Sequence, residues 1–189
     1  VLSIGSSAFL NATSLNSITF GAGSLLTTIG TNAFQSTALT AIAIPDEVLS
    51  IGVSAFYYAS SLNSITFGAG SKLNNIGNDA FYGASALTTI VIPDGVLSIG
   101  ANAFYNASNL SSITFGVNSI LNNIGGSAFY NTDLTTIAIP DTVNSIGNSV
   151  FYNATSLNSI TFGVNSQLDS IGTGVFRYTA LTIIAIPDT

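Results

Sequence analysis

Four carboxylates stand in one column of the sequence: Asp46, Asp94, Asp141 and Asp188, each directly after a proline. The chain has no His and no Cys, which removes histidine catalysis, thiol nucleophiles and Cys/His metal sites, and leaves carboxylates as the groups for acid–base or metal chemistry. In a structure of stacked coils about 4.8 Å apart, every second coil would bring an Asp roughly 10 Å from the last. That is near the separation of an inverting glycosidase pair, but no general acid in a distinctive setting accompanies it. Oxygen ligands along one edge also make the four aspartates weak calcium candidates. The preferred reading is turn chemistry, with each Pro-Asp hydrogen-bonding its own backbone. The expectation is therefore no catalytic residue, no cofactor, no resident metal and no enzyme.

Two other columns suit binding rather than reaction. Tyr57, Tyr82, Tyr105, Tyr130 and Tyr152 each follow a Phe, with Leu10, Gln35 and Arg177 in the same place elsewhere. If the Phe points inward, these rings line one edge, either packing on one another or forming an aromatic interaction stripe. Ser17 and Thr19, Ser64 and Thr66, Ser112 and Thr114, and Ser159 and Thr161 occupy the outward positions of strand-like segments. A regular lattice of small hydroxyls suits an ice-binding face. Ala and Val dilute it in alternate segments, and β-propensity explains it more simply.

These columns exist because the sequence repeats. Ile-Gly recurs at Ile4, Ile29, Ile51, Ile76, Ile99, Ile124, Ile146 and Ile171, separated by 25, 22, 25, 23, 25, 22 and 25 residues. Five positions after each Ile stands Phe9, Phe34, Phe56, Phe81, Phe104, Phe129, Phe151 or Phe176. A second frame, Leu-x-x-Ile-x-(Phe or Ile), begins at Leu15, Leu39, Leu62, Leu87, Leu110, Leu134, Leu157 and Leu181. Odd units end this frame in Phe and a Gly-rich turn; even units end it in Ile-Pro-Asp and turn sooner, so the true period is a double repeat of 47 or 48 residues. Alternation in "SITF" and "AIAIP" predicts strands with one buried face, ended by Gly or Pro. The "AF" after Ile-Gly is read as a short helical turn, and the Gly as a site of unusual backbone angle or close approach. One coil cannot shield its inward side chains alone, so neighbours must stack. The expected fold is a mainly β repeat solenoid over residues 1–189: a single domain of eight coils of 22–25 residues, with a parallel sheet on one face and turns with short helical segments on the other.

Charged residues make up 5% of the chain, against roughly 25% in ordinary globular proteins, and the net charge is −6. Two basic residues, Lys72 and Arg177, cannot neutralise a phosphate backbone, so no nucleic-acid partner is expected. The apolar residues fall in short runs, and no membrane span is expected. Abundant Asn, Ser and Thr with a single Lys points to an extracellular or cell-surface setting. Asn11, Asn106, Asn109 and Asn153 open glycosylation sequons.

The frame L-x-x-I-x-I-P-D-x-V-x-x-I-G-x-x-A-F, nearly whole at 87–104 and 134–151, resembles the BspA-like subtype of leucine-rich repeat. The odd frame F-G-x-x-S-x-L-x-x-I-G, at 67–77 and 162–172, resembles its common variant. Where that family often has Cys, three residues after the Phe, this chain has Ala12, Thr37, Ala59, Ala84, Ala107, Thr132, Ala154 and Thr179, small enough to keep the packing. The resemblance implies a leucine-rich-repeat solenoid from a surface or secreted protein with an adhesive role toward host, matrix or cell-surface proteins.

Joining Thr189 to Val1 would read "IPDTVLSIG", in register with the double repeat. Four double repeats without caps are thus expected to be a segment of a longer array or a unit of a head-to-tail fibre. The functional expectation is a structural and adhesive module, part of a filament, stalk or adhesin. It would act by multivalent protein binding or by end-to-end or lateral self-association, with a glycan- or ice-binding surface as the alternative.

Overall fold

The computed structural model describes residues 1–187, and short strands are its only regular elements among them. They are β1 (Ser3–Ile4), β2 (Thr28–Ile29), β3 (Ala41–Ile44), β4 (Ser50–Ile51), β5 (Ser64–Phe67), β6 (Asn75–Ile76) and β7 (Thr89–Ile92). The second half adds β8 (Ser98–Ile99), β9 (Ser112–Phe115), β10 (Asn123–Ile124), β11 (Thr136–Ile139), β12 (Ser145–Ile146), β13 (Ser159–Phe162) and β14 (Ser170–Ile171). Coils are numbered one to eight from their Ile-Gly steps.

The continuous parallel sheet is built by the two-residue strands that end in the Ile of each Ile-Gly step, in the order β1-β2-β4-β6-β8-β10-β12-β14. Each Ile pairs with its equivalent, as Ile76 does with Ile99. At the following glycine the backbones of adjacent coils nearly touch. A Cβ on Gly77 would sit 2.7 Å from the Gly52 carbonyl carbon, so close approach is what requires Gly in this column. The longer strands pair only from an even coil to the next odd one: β3 with β5, β7 with β9, and β11 with β13. Their face is therefore a set of two-stranded ribbons divided by seams.

Where a short helical turn was expected, the chain instead makes overlapping β-turns. In coil four the N–H groups of Ala80, Tyr82 and Ala84 bond back three residues, to Gly77, Asp79 and Phe81. The alternate N–H groups of Asp79, Phe81 and Gly83 bond forward to Ala101, Ala103 and Tyr105 of coil five. A right-handed helix would spend all these donors within one coil. The zigzag needs left-handed backbone every fourth residue, as at Ser7 and Asn11 (φ 58 for each) and at Asn102 and Asn106 (φ 55 and 57). Asn, Ser, Asp and Gly fill nearly all of these positions, because their short side chains tolerate that region.

Inside, the eight phenylalanines form one stack with centroid separations from 5.2 Å at Phe9–Phe34 to 6.0 Å at Phe151–Phe176. Phe34 to Phe151 are fully buried, among Leu, Ile, Val and Ala columns that form one continuous core. Each large side chain so buried contributes roughly 1.5–3 kcal/mol. Ala59, Ala84, Ala107 and Ala154 are also buried, and Thr37 and Thr132 bury their hydroxyls by bonding Phe34 O and Phe129 O at 2.9 and 3.0 Å.

Candidate functional site

The aspartate column lies at the ends of the even strands, and its bonds cross between coils. Pro45, Pro93 and Pro140 close their turns through backbone bonds from Val48, Val96 and Val143. The Asp94 carboxylate, rather than bonding its own turn, accepts the Asn118 N–H at 3.1 Å and the Asn118 Nδ2 at 3.4 Å from the next coil's loop. Asp46 and Asp141 lie in the same way against Gly68 and Gly163, where a Cβ would collide with the carboxylate, as it would at Gly116 with Asp94. For Asp94 the expectation that the carboxylate bonds its own backbone is thus corrected: Pro93 fixes the local turn and leaves the carboxylate free to reach the longer odd loop. Asp188 lies outside the described residues. Among the described residues no three carboxylates converge as a metal site would need.

The tyrosine column is brought together. Tyr57, Tyr82, Tyr105, Tyr130 and Tyr152 are half-buried and stack with centroid separations of 4.8, 4.8, 4.4 and 4.9 Å. Burial, and then the neighbouring tyrosines, push the hydroxyls of Tyr82 and Tyr105 above their ordinary pKa; Tyr57 is raised by burial, Tyr58 and Asp79. Two tyrosines outside the column join the stack. Tyr58 meets Tyr57 edge-on at 4.7 Å, and Tyr178 meets Tyr152 edge-on at 5.2 Å. The Arg177 guanidinium lies 5.7 Å from the Tyr152 ring and 4.9 Å from the Tyr178 ring, so it closes that end of the stripe with a cation. Tyr58 and Tyr178 hold left-handed backbone, φ 52 and 60, which is costly for a bulky side chain. The sequence carried one signal for them: a Tyr in a column otherwise filled by Asn11, Ser36, Gly83, Asn106, Asn131 and Asn153.

On the strand face Thr19, Thr66, Thr114 and Thr161 are exposed, as is Ser17, whereas Ser64, Ser112 and Ser159 are half-buried beside the even strand they pair with. The pairing joins Thr66 to Ala43 and Thr161 to Ala138, but Ser112 to Thr89 and Ser159 to Thr136, so hydroxyl–methyl and hydroxyl–hydroxyl pairs both occur on these ribbons.

Parallel coils, an unbroken Phe stack and an Ile-Gly corner with backbone contact are features of a leucine-rich-repeat solenoid. A family model for the BspA type leucine rich repeat region, in six copies, matches residues 1–96 and 74–189. The chain belongs to that family. As a BspA-type repeat it is similar in fold to a leucine-rich repeat protein from Bacteroides ovatus, with a TM-score of 0.71 and 22% identity over 99% of this chain and 58% of that one. It is also similar to the Treponema pallidum leucine rich repeat protein, with a TM-score of 0.70 and 25% identity over 82% of this chain and 71% of that one. A leucine rich cell surface protein from Faecalibacterium prausnitzii is 30% identical, with a TM-score of 0.54 over 79% of this chain and 46% of that one. The BspA-type chain thus spans less than two thirds of the length of the Bacteroides relative. No curated protein matches it by sequence. Among the described residues no helix is long and apolar enough to cross a membrane.

Proposed function

We propose that this BspA-type array is a non-enzymatic module of an extracellular or cell-surface protein, with its eight coils forming one domain that acts by multivalent protein binding or self-association. The tyrosine stripe carries this reading. Five half-buried rings in register, extended at its ends by Tyr58 and Tyr178, offer one contact element repeated coil after coil. Tyr gives large contact area at low entropic cost, and equivalent weak contacts engaged together raise avidity far above that of one. The surface setting is supported by the family and by the cell surface protein among its similar structures. An ice-binding lattice is less well supported, because the ribbons confine flat Thr/Ala rows to two strands at a time.

Beads coated with the protein are expected to adhere to extracellular-matrix proteins or cultured cells, or the protein to self-associate in sedimentation. The triple variant Tyr82→Ser, Tyr105→Ser, Tyr130→Ser is expected to lose that adhesion at least tenfold while keeping its circular dichroism. Undiminished adhesion by the folded variant would remove the stripe from the account, and no adhesion or association at all would remove the function.

A further inference from the structure

The seams on the strand face share a missing rung and a regular content. In the middle ribbon a last bond runs from the Gly116 N–H back to the Ile92 carbonyl at 3.0 Å. Across the next seam the equivalent donor would be the nitrogen of Pro45, Pro93 or Pro140, and proline has no N–H. The carbonyls of Phe20, Phe67 and Phe115 therefore lack that rung. β5 and β7 belong to different sheets, as do β9 and β11.

Open grooves cover three successive seams, the first and third of them also reaching across the adjoining ribbon to Phe67 and Phe162. The first, about 690 Å³, is lined by Phe20, Ala43, Pro45 and Asp46 among others. The second, about 330 Å³, is lined by Phe67, Val91, Pro93 and Asp94. The third, about 620 Å³, is lined by Phe115, Ala138, Pro140 and Asp141. Each also presents a threonine hydroxyl, from Thr19, Thr66 or Thr114, and neither Lys nor Arg lines any of them. Every seam thus combines a half-buried aromatic ring, a carbonyl without its ladder donor, a hydroxyl and a carboxylate. The Asp94 carboxylate spends part of its accepting capacity on Asn118 and keeps lone pairs free.

A fitting ligand has an apolar C–H face for the ring and several O–H donors for a site rich in acceptors. Without a cation in the groove it is not an anion, and the Asp94 carboxylate, already engaged by loop amides, does not require a full positive charge. These conditions describe a neutral saccharide. The grooves recur every second coil, about 10 Å at strand spacing, so an extended polysaccharide along the solenoid axis would meet all three in turn. We propose that the odd-to-even seams are three equivalent saccharide-binding sites that together hold one neutral polysaccharide chain. This site is separate from the tyrosine stripe and stands without it.

Affinity electrophoresis through gels containing soluble β-glucan, mannan, xylan or starch tests the proposal, with calorimetry on the matching disaccharides. At least one neutral polysaccharide is expected to retard the protein and to bind about tenfold more tightly than its disaccharide, which fills one groove. Ala43→Arg, Val91→Arg and Ala138→Arg place a long side chain in each groove from an exposed strand position, which leaves the core intact. Each alone is expected to weaken binding about threefold, and the three together to abolish it. Tyr105→Ser is expected to leave saccharide binding unchanged, which separates this outcome from loss of stripe adhesion. Absence of retardation by every neutral polysaccharide overturns the proposal. So does retardation that survives the folded triple variant, or occupation of the grooves by an oligoarginine peptide in place of saccharide.

Discussion

The ring of Tyr58 lies over the backbone of Gly83 in the next coil, so closely that a Cβ on Gly83 would stand 2.7 Å from Tyr58 Cδ1. Both residues hold left-handed backbone in the same column, with φ of 52 and 69. Tyr58 thereby reaches Tyr57 and Tyr82 together, and a small residue in coil four is what admits it.

Gly83→Ala is expected to destabilise the protein by about 1–2 kcal/mol through the left-handed backbone alone, with the Tyr58 clash added. In a Tyr58→Ala background the clash term disappears. A double-mutant cycle in urea should return a coupling of about 1 kcal/mol; strict additivity would show that the two residues do not meet.

Phe104 is fully buried and stacked on Phe81 and Phe129 at 5.2 and 5.4 Å. Phe104→Ala is expected to cost about 3–5 kcal/mol in denaturant unfolding. Since each coil contacts only its neighbours, amide exchange should quicken most in coils four to six.

Asp94→Ala removes the acceptor for the Asn118 N–H and is expected to cost about 1–2 kcal/mol, with faster exchange at Asn118. Its effect on the turn bond from Val96 to Pro93 should be small, because that bond is backbone only. Asp94→Asn, which keeps one acceptor oxygen, should recover most of the loss. Because no three carboxylates converge among the described residues, adding millimolar calcium or a chelator is expected to leave the Tm of the native protein unchanged.

The stacked tyrosines set an alkaline limit. Burial raises the folded pKa of Tyr57, Tyr82 and Tyr105 above the ordinary 10.0. A phenol whose folded pKa is raised stabilises the fold fully below the unfolded value and loses that contribution as pH rises through the folded one. Stability should therefore be flat to about pH 9 and fall above 10. An ultraviolet titration followed together with circular dichroism should show late ionisation of these rings accompanied by unfolding; ionisation at pH 10 in an intact fold would contradict the stacking.

The amino-acid order by itself determined which side chains face inward, the double period and the stacking of coils. Ile76, Phe81, Leu87 and Ile90 are spaced as a single coil needs, and their sizes demand neighbours of the same kind. It also placed the Tyr and Asp columns, since a fixed period puts equal positions in line. What it left open is decided by atoms 22–25 residues away. Asn11 and Asn153 stand in the sequence only as openings of sequons, yet both hold left-handed backbone that the forward bonds between coils impose. The aspartates looked self-contained, yet Asp94 finds its partner in the next coil. Pro93 marked the end of its own strand in the sequence; only the stacked structure revealed that its missing N–H also faces the coil before it, across a seam between sheets. Periodicity fixes which residues align, whereas hydrogen-bond direction and loop length in the neighbouring coil fix what the aligned residues do.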